Sequence, residues 1–115
     1  MIDDESSVRR SIDSLIRSTG HRTRQFDCAE AFIALAGEAA CDCVVTDVQM
    51  GGMSGVDLLA QLRERGSSVP CIVVTAHATA DLQEKAQRCG ALCVLKKPVH
   101  PDELVYWISV ALGDA

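Results

Sequence analysis

Hydrophobic positions along the chain alternate between two periods. Residues 43–46, 71–75 and 92–95 are short, almost wholly apolar runs bounded by polar or turn-forming residues, the pattern of strands covered on both faces. Around them apolar residues recur at helical spacing: Val8, Ile12, Leu15 and Ile16; Ala31, Phe32 and Leu35; Val56, Leu58, Leu59 and Leu62; Ala80, Leu82 and Ala86; and Leu104, Ile108, Ala111 and Leu112. The punctuation agrees. Asp27 with Glu30 and Ser54 with Asp57 form capping-box pairs, Gly20, Gly66 and Gly90 stand where helices stop, and Pro101 opens the last helix. Two weaker strands complete the alternation: Met1 and Ile2 ahead of the acids Asp3, Asp4 and Glu5, and residues 22–26, whose pattern suits one wet face. The helix over residues 79–88 has a thin apolar face, which predicts a mobile element.

Strands and helices alternate through all 115 residues without linker, repeat or low-complexity stretch. The pattern predicts one α/β domain over residues 1–115: a doubly wound, parallel five-stranded sheet with five helices and right-handed crossovers. In the flavodoxin-like order 2-1-3-4-5 the first and third strands meet at the switch point, and ligands gather beyond the carboxyl ends of the strands. Asp3 and Asp4 end the first strand and Asp47 ends the third, so three carboxylates converge at one edge. Two unit charges about 4 Å apart repel by roughly 4 kcal/mol at an effective dielectric of about 20, and a cation relieves this. All-oxygen, anionic ligation with room for water favours Mg²⁺, or Mn²⁺, over zinc. Thr75 closes the fourth strand with a hydroxyl, and Lys96-Lys97-Pro98 closes the fifth with ammonium groups; both suit phosphoryl oxygens. Asp47 is therefore the expected phosphoryl acceptor. The Lys97–Pro98 bond is a candidate cis peptide, and Lys96 should point to the other face of its strand.

Composition narrows the partners. A formal charge of −5 argues against general nucleic-acid binding. Arg9, Arg10, Arg17, Arg22 and Arg24 gather towards the front without interleaved aromatics, as a solvated surface or a patch for an acidic protein partner. Six cysteines show no C-x-x-C and half of them lie in strand-like runs, which predicts reduced structural thiols and a cytoplasmic location. No signal peptide or membrane-length apolar stretch is present, so no membrane partner is expected.

Asp3-Asp4, Asp47 with Met50 and Gly55 downstream, Thr75-Ala76 and Lys97-Pro98 stand in the order and spacing of response-regulator receiver domains. The chain resembles these CheY-like phosphoacceptor modules of two-component signalling over essentially its whole length. Residues 27–32 and 53–59 are similar to the receivers of LuxR-type, FixJ-like transcription regulators in particular. The resemblance implies that Asp47 takes its phosphoryl group from a histidine kinase or a phosphotransfer protein. It implies that Asp4 and Asp47 bind Mg²⁺ directly, Asp3 through water and Gln49 through its backbone carbonyl. Thr75 and Lys97 would hold the phosphoryl oxygens and couple them to movement of the fourth helix and fifth strand. Gln49 and His77 would tune hydrolysis, unless His77 is simply an exposed loop histidine.

Three positions depart from the family pattern. Several apolar residues normally precede the acidic pair, whereas here only Met1 and Ile2 do, which a trimmed or misplaced start explains better than a truncated or exchanged strand. Gly51 replaces a usual proline and, with Gly52, predicts a mobile loop beside Asp47 that Mg²⁺ orders. Val94 replaces a Tyr or Phe whose ring turns inward on activation, leaving activation to the loop after Thr75 alone, to a monomer–dimer equilibrium, or without any switch. The last helix carries Tyr106 and Val110 outward with Trp107 at the border, either as scattered surface residues or as a homodimer face shared with the fourth helix and fifth strand.

The chain reads as a stand-alone receiver or as the front half of a transcription regulator. Two other functions compete. A pseudo-receiver would only bind proteins or dimerise. A hydrolase with an aspartyl-phosphate intermediate would need a second Asp two residues after the nucleophile, where this chain has Gln49. The expectation is no enzyme beyond self-directed phosphoryl transfer and its reversal by hydrolysis.

Overall fold

The two most apolar runs become adjacent parallel strands. In the computed structural model, which describes residues 1–35 and 41–113, β1 (Val44–Asp47) pairs with β2 (Cys71–Thr75) in the register Val44 to Cys71 and Asp47 to Val74. β2 pairs in turn with β3 (Cys93–Lys96), placing Val73 beside Val94 and Thr75 beside Lys96. Parallel neighbours need crossovers, and helices supply them. α1 (Ser6–Ser18) and α2 (Ala29–Leu35) precede β1, α3 (Gly55–Glu64) links β1 to β2, α4 (Ala80–Arg88) links β2 to β3, and α5 (Pro101–Leu112) follows.

Successive strand residues face opposite sides, which sorts the core into two layers. Val45, Ile72, Val74 and Leu95 pack with Ile12 and Ile16 of α1 and Leu104 and Ile108 of α5. Val44, Cys71 and Val73 pack with Ala29 and Phe32 of α2, Leu58, Leu59 and Leu62 of α3, and Ala86 of α4. Leu58, Leu59, Ile72 and Leu104 are fully buried, each contributing about 1.5–3 kcal/mol of transfer free energy. Helix α4 buries only Ala86, in keeping with its thin apolar face. The predicted inward side chain of Leu35 falls outside the described residues.

The expected strand order holds, but its first two positions are shorter than predicted. Ile2 forms single-residue parallel bridges to Phe26 on one side and Thr46 on the other. Ile2 N–H donates to Val45 O at 2.8 Å, Asp47 N–H to Ile2 O at 2.8 Å, and Asp3 N–H to Phe26 O at 3.1 Å. The segment around Ile2 therefore lies between Phe26 and β1 as the order 2-1-3 requires. Residues 22–25, expected as part of a strand, are not in one. A strand needs a partner along its length, and Met1 to Asp3 offers too few residues to pair with.

Helix ends follow the local chemistry. Ser54 Oγ accepts from Asp57 N–H at 3.1 Å, Thr79 Oγ1 from Leu82 N–H at 3.2 Å, and His100 Nδ1 from Asp102 N–H at 3.2 Å, with Pro101 in the first turn of α5. The expected pairing of Asp27 with Glu30 takes a different form. Helix α2 begins at Ala29, and the Glu30 carboxylate accepts from Met53 N–H at 3.3 Å instead.

Candidate functional site

The carboxyl edge of the sheet collects buried polar side chains that the strand ends deliver. Asp3 is 0% exposed, Asp47 at the end of β1 is 5% and Thr75 at the end of β2 is 1%. One residue past β3, Lys97 reaches back over this edge. Its Nζ donates to Asp3 Oδ2 at 2.7 Å and stands 3.3 Å from Asp47 Oδ2. The other Asp47 oxygen accepts from Val48 N–H at 2.8 Å, and the other Asp3 oxygen accepts from Glu5 N–H at 2.9 Å. Asp4 is exposed, yet one carboxylate oxygen from each of Asp3, Asp4 and Asp47 lies within 4.8 Å of the others.

Three carboxylates thus face one ammonium, and the charge is unbalanced. Burial, and then the negative charge of Asp3, push the Asp47 carboxyl above the usual carboxylate range despite the opposing pull of Lys97. Burial pulls on the Lys97 ammonium in the downward direction. The hydrogen bond and charge of Asp3, with those of Asp47, outweigh it, so the net shift is upward. An all-oxygen cluster carrying surplus negative charge, with one exposed member open to solvent, fits a hard divalent cation such as Mg²⁺.

The remaining predicted residues fall into two groups. Lys97 N–H donates to Thr75 O at 2.7 Å, which ties the ends of β2 and β3 together, and the Lys97–Pro98 peptide is cis. Thr75 Oγ1 accepts from His77 N–H at 3.2 Å and keeps its own proton to donate. Lys96 is exposed, opposite in orientation to Lys97 as the strand period requires. Gln49 and His77 have exposed side chains. Val94 packs against the core layer that holds Ala86 of α4. On α5, Tyr106 is 57% exposed and meets Trp107 edge to face, with ring centroids 5.2 Å apart.

Three supporting residues were read from the sequence in other roles than at this site. Arg9 Nη1 donates to the Asp3 carbonyl at 2.5 Å and so holds the acidic pair from α1. Glu30 reaches the loop after Asp47. Gly55 appeared only as a spacing match, but a Cβ there would collide with the Asp47 carbonyl oxygen. Arg9 read as one of a group of front arginines and Glu30 as half of a capping box, and neither signal points to the Asp3 carbonyl or to Met53.

Residues 1–109 match the response regulator receiver domain family. The chain belongs to that family. This receiver domain is 36% identical over 112 residues to the response regulator protein TmoT of Ectopseudomonas mendocina, covering 97% of this chain and 51% of that protein. It is 34% identical over 115 residues to the transcriptional regulatory protein FixJ of Bradyrhizobium diazoefficiens, covering 100% of this chain and 56% of that one. The receiver therefore spans about half the length of the curated relatives it matches. A crystal structure of FixJ-N superposes with a TM-score of 0.89 at 32% identity, covering 99% of this chain and 91% of the other. These matches support the CheY-like fold and the likeness to FixJ-type regulators. Among the described residues, no helix is long and apolar enough to cross a membrane.

Proposed function

We propose that this receiver accepts a phosphoryl group on Asp47 from a phosphohistidine on a histidine kinase or phosphotransfer protein, in a reaction that depends on Mg²⁺. The observation that carries this reading is the Lys97 ammonium set between two buried carboxylates, 2.7 Å from Asp3 and 3.3 Å from Asp47. Such surplus buried negative charge is costly unless a cation balances it, and the balanced edge then has Lys97 free to meet phosphoryl oxygens.

A carboxylate oxygen of Asp47 attacks phosphorus. The new O–P bond forms as the P–N bond of the donor breaks, and the imidazole leaves with the electron pair. Burial strengthens Asp47 as a nucleophile because it disfavours the free carboxylate relative to the ester. Val48 N–H orients the side chain through one oxygen, which leaves the other to react. Lys97 and the Thr75 hydroxyl hold phosphoryl oxygens, and Asp3 keeps Lys97 in place. Asp4 and Asp47 directly, Asp3 through water and the Gln49 carbonyl are the groups that would hold Mg²⁺, which neutralises charge on the phosphoryl oxygens. The chemistry is self-directed, and water reverses it by hydrolysing the acyl phosphate.

Phosphoryl capture by Thr75 draws on the loop that leads into α4, and α4, β3 and α5 form the output surface. Val94 cannot rotate between two ring positions, so the signal passes through that loop or through association on the Tyr106 face. By analogy with relatives named as transcriptional regulators, the output is control of a transcription factor.

Incubation with Mg²⁺ and acetyl phosphate should add the mass of one phosphoryl group to the wild type and none to Asp47→Asn. Intact-mass spectrometry reads the difference. A gain that is equal in both proteins, or absent from both, overturns the proposal.

A further inference from the structure

We propose that Glu30 is a positioning residue for the metal-binding edge, holding the loop between β1 and α3 in the conformation that presents Gln49. This rests on the reading of Asp4, Asp47 and Gln49 as Mg²⁺ ligands. The loop, residues 48–54, is fixed at both ends. Val48 N–H donates to Val74 O at 3.2 Å and to Asp47 Oδ1 at 2.8 Å, while Gly55 N–H donates to Val48 O at 3.1 Å and Ser54 caps α3. Its middle is the weak part. Gly51 lacks the φ restriction that a proline would impose, and Gly52 sits at φ +94°, where only glycine is at ease.

Glu30 reaches this middle segment with one hydrogen bond and lays its carboxylate over Gly52. Oε1 accepts from Met53 N–H at 3.3 Å. Oε2 lies 2.5 Å from where a Gly52 Cβ would stand, so the carboxylate occupies the face that the missing side chain leaves open. The bond spans 23 residues of sequence and joins the first turn of α2 to the loop beside Asp47. A glycine pair next to the acceptor would otherwise give the Gln49 carbonyl many orientations, and ordering them on metal binding would weaken the affinity. Glu30 supplies that order in advance.

The test compares wild type, Glu30→Ala, Glu30→Gln and Asp47→Asn by amide hydrogen exchange without metal and by Mg²⁺ titration followed through amide shifts. Loss of one exposed, charge-assisted hydrogen bond is expected to speed exchange at the Met53 amide about fivefold and to weaken Mg²⁺ binding about threefold in Glu30→Ala. Glu30→Gln keeps an acceptor oxygen and should recover most of both. If Met53 exchange and Mg²⁺ affinity in Glu30→Ala equal wild type while Asp47→Asn binds Mg²⁺ more weakly, the role of Glu30 is overturned and the site stands. If Glu30→Gln behaves like Glu30→Ala, the hydrogen bond is not the cause and the role is again overturned. If Asp47→Asn binds Mg²⁺ as well as wild type, the site reading itself fails, and the role with it.

Discussion

The two edges of the sheet use the same three strands and bury opposite kinds of group. At the carboxyl edge, Asp3, Asp47 and Thr75 are buried around the Lys97 ammonium. At the amino edge, Cys71 begins β2, Cys93 begins β3 and Cys43 precedes β1. Burial acts on both edges by disfavouring charge. It pushes the Cys43 and Cys93 thiols up to about 12 and the Cys71 thiol up to about 11, so at neutral pH they are simply neutral and content. The same force at the other edge pushes the Asp47 carboxyl upward, with the charge of Asp3 adding to it and Lys97 opposing it. Arg63 completes the contrast. Its guanidinium donates to the carbonyls of Cys89, Ser67, Val69 and Gly90 at 2.9–3.1 Å, closing the loops that lead into β2 and β3. One edge is saturated with internal partners, and the other holds a reserve of unmet charge for a ligand.

The contrast breaks most visibly at Gly55. A methyl group there meets the Asp47 carbonyl oxygen and lies 3.1 Å from its carbon, backbone atoms that cannot rotate aside. Gly55→Ala should cost about 2–3 kcal/mol in urea denaturation, in the range of overpacked cores, and should also displace Asp47 enough to slow phosphorylation. A cost below about 0.5 kcal/mol, within the range of ordinary surface changes, would show that the end of β1 yields easily and that the carboxyl edge is not rigidly built. Arg63→Ala sharpens the comparison from the other side. Four carbonyls lose a charged donor but gain access to water, so a loss of about 1–2 kcal/mol is expected. Phosphorylation by acetyl phosphate should be unchanged. A rate that fell in step with stability would mean that the two edges are coupled through β2 and β3.

What the sequence made legible follows the same division. Asp3, Asp47, Thr75 and Lys97 were found because each ends a strand, and parallel topology sends strand ends to one edge. Ser54 and Pro101 were legible because capping is local chemistry. The residues that escaped act over distance or on backbone. Glu30 looked like half of a capping box, and nothing near it in sequence announces a partner at Met53. Arg63 bonds only to carbonyls, which every residue has. The value of Gly55 lies in an atom it lacks, and that becomes visible only when the Asp47 carbonyl is placed against it. Residues 22–26 had a strand's alternation, but pairing decides whether a strand forms, and the segment around Ile2 supports it only at Phe26.

The smallest expected effect concerns the saturated edge itself. Burial, followed by the charges of neighbouring groups, raises the folded-state value of Cys43 from 9.0 to about 12, so the folded protein holds this proton longer than the unfolded chain does. The stabilisation is then complete below about pH 9, and it is lost as pH rises from there towards the folded value. Over the unit above about pH 9, wild type should lose about 0.5 kcal/mol more stability than Cys43→Ala, after discounting for partial exposure. Urea midpoints at about pH 9 and about pH 10 read this difference, since groups not coupled to Cys43 titrate alike in both proteins. Equal losses would show that the surroundings of the half-buried Cys43, Val45 and Ile72 among them, do not hold its proton against solvent.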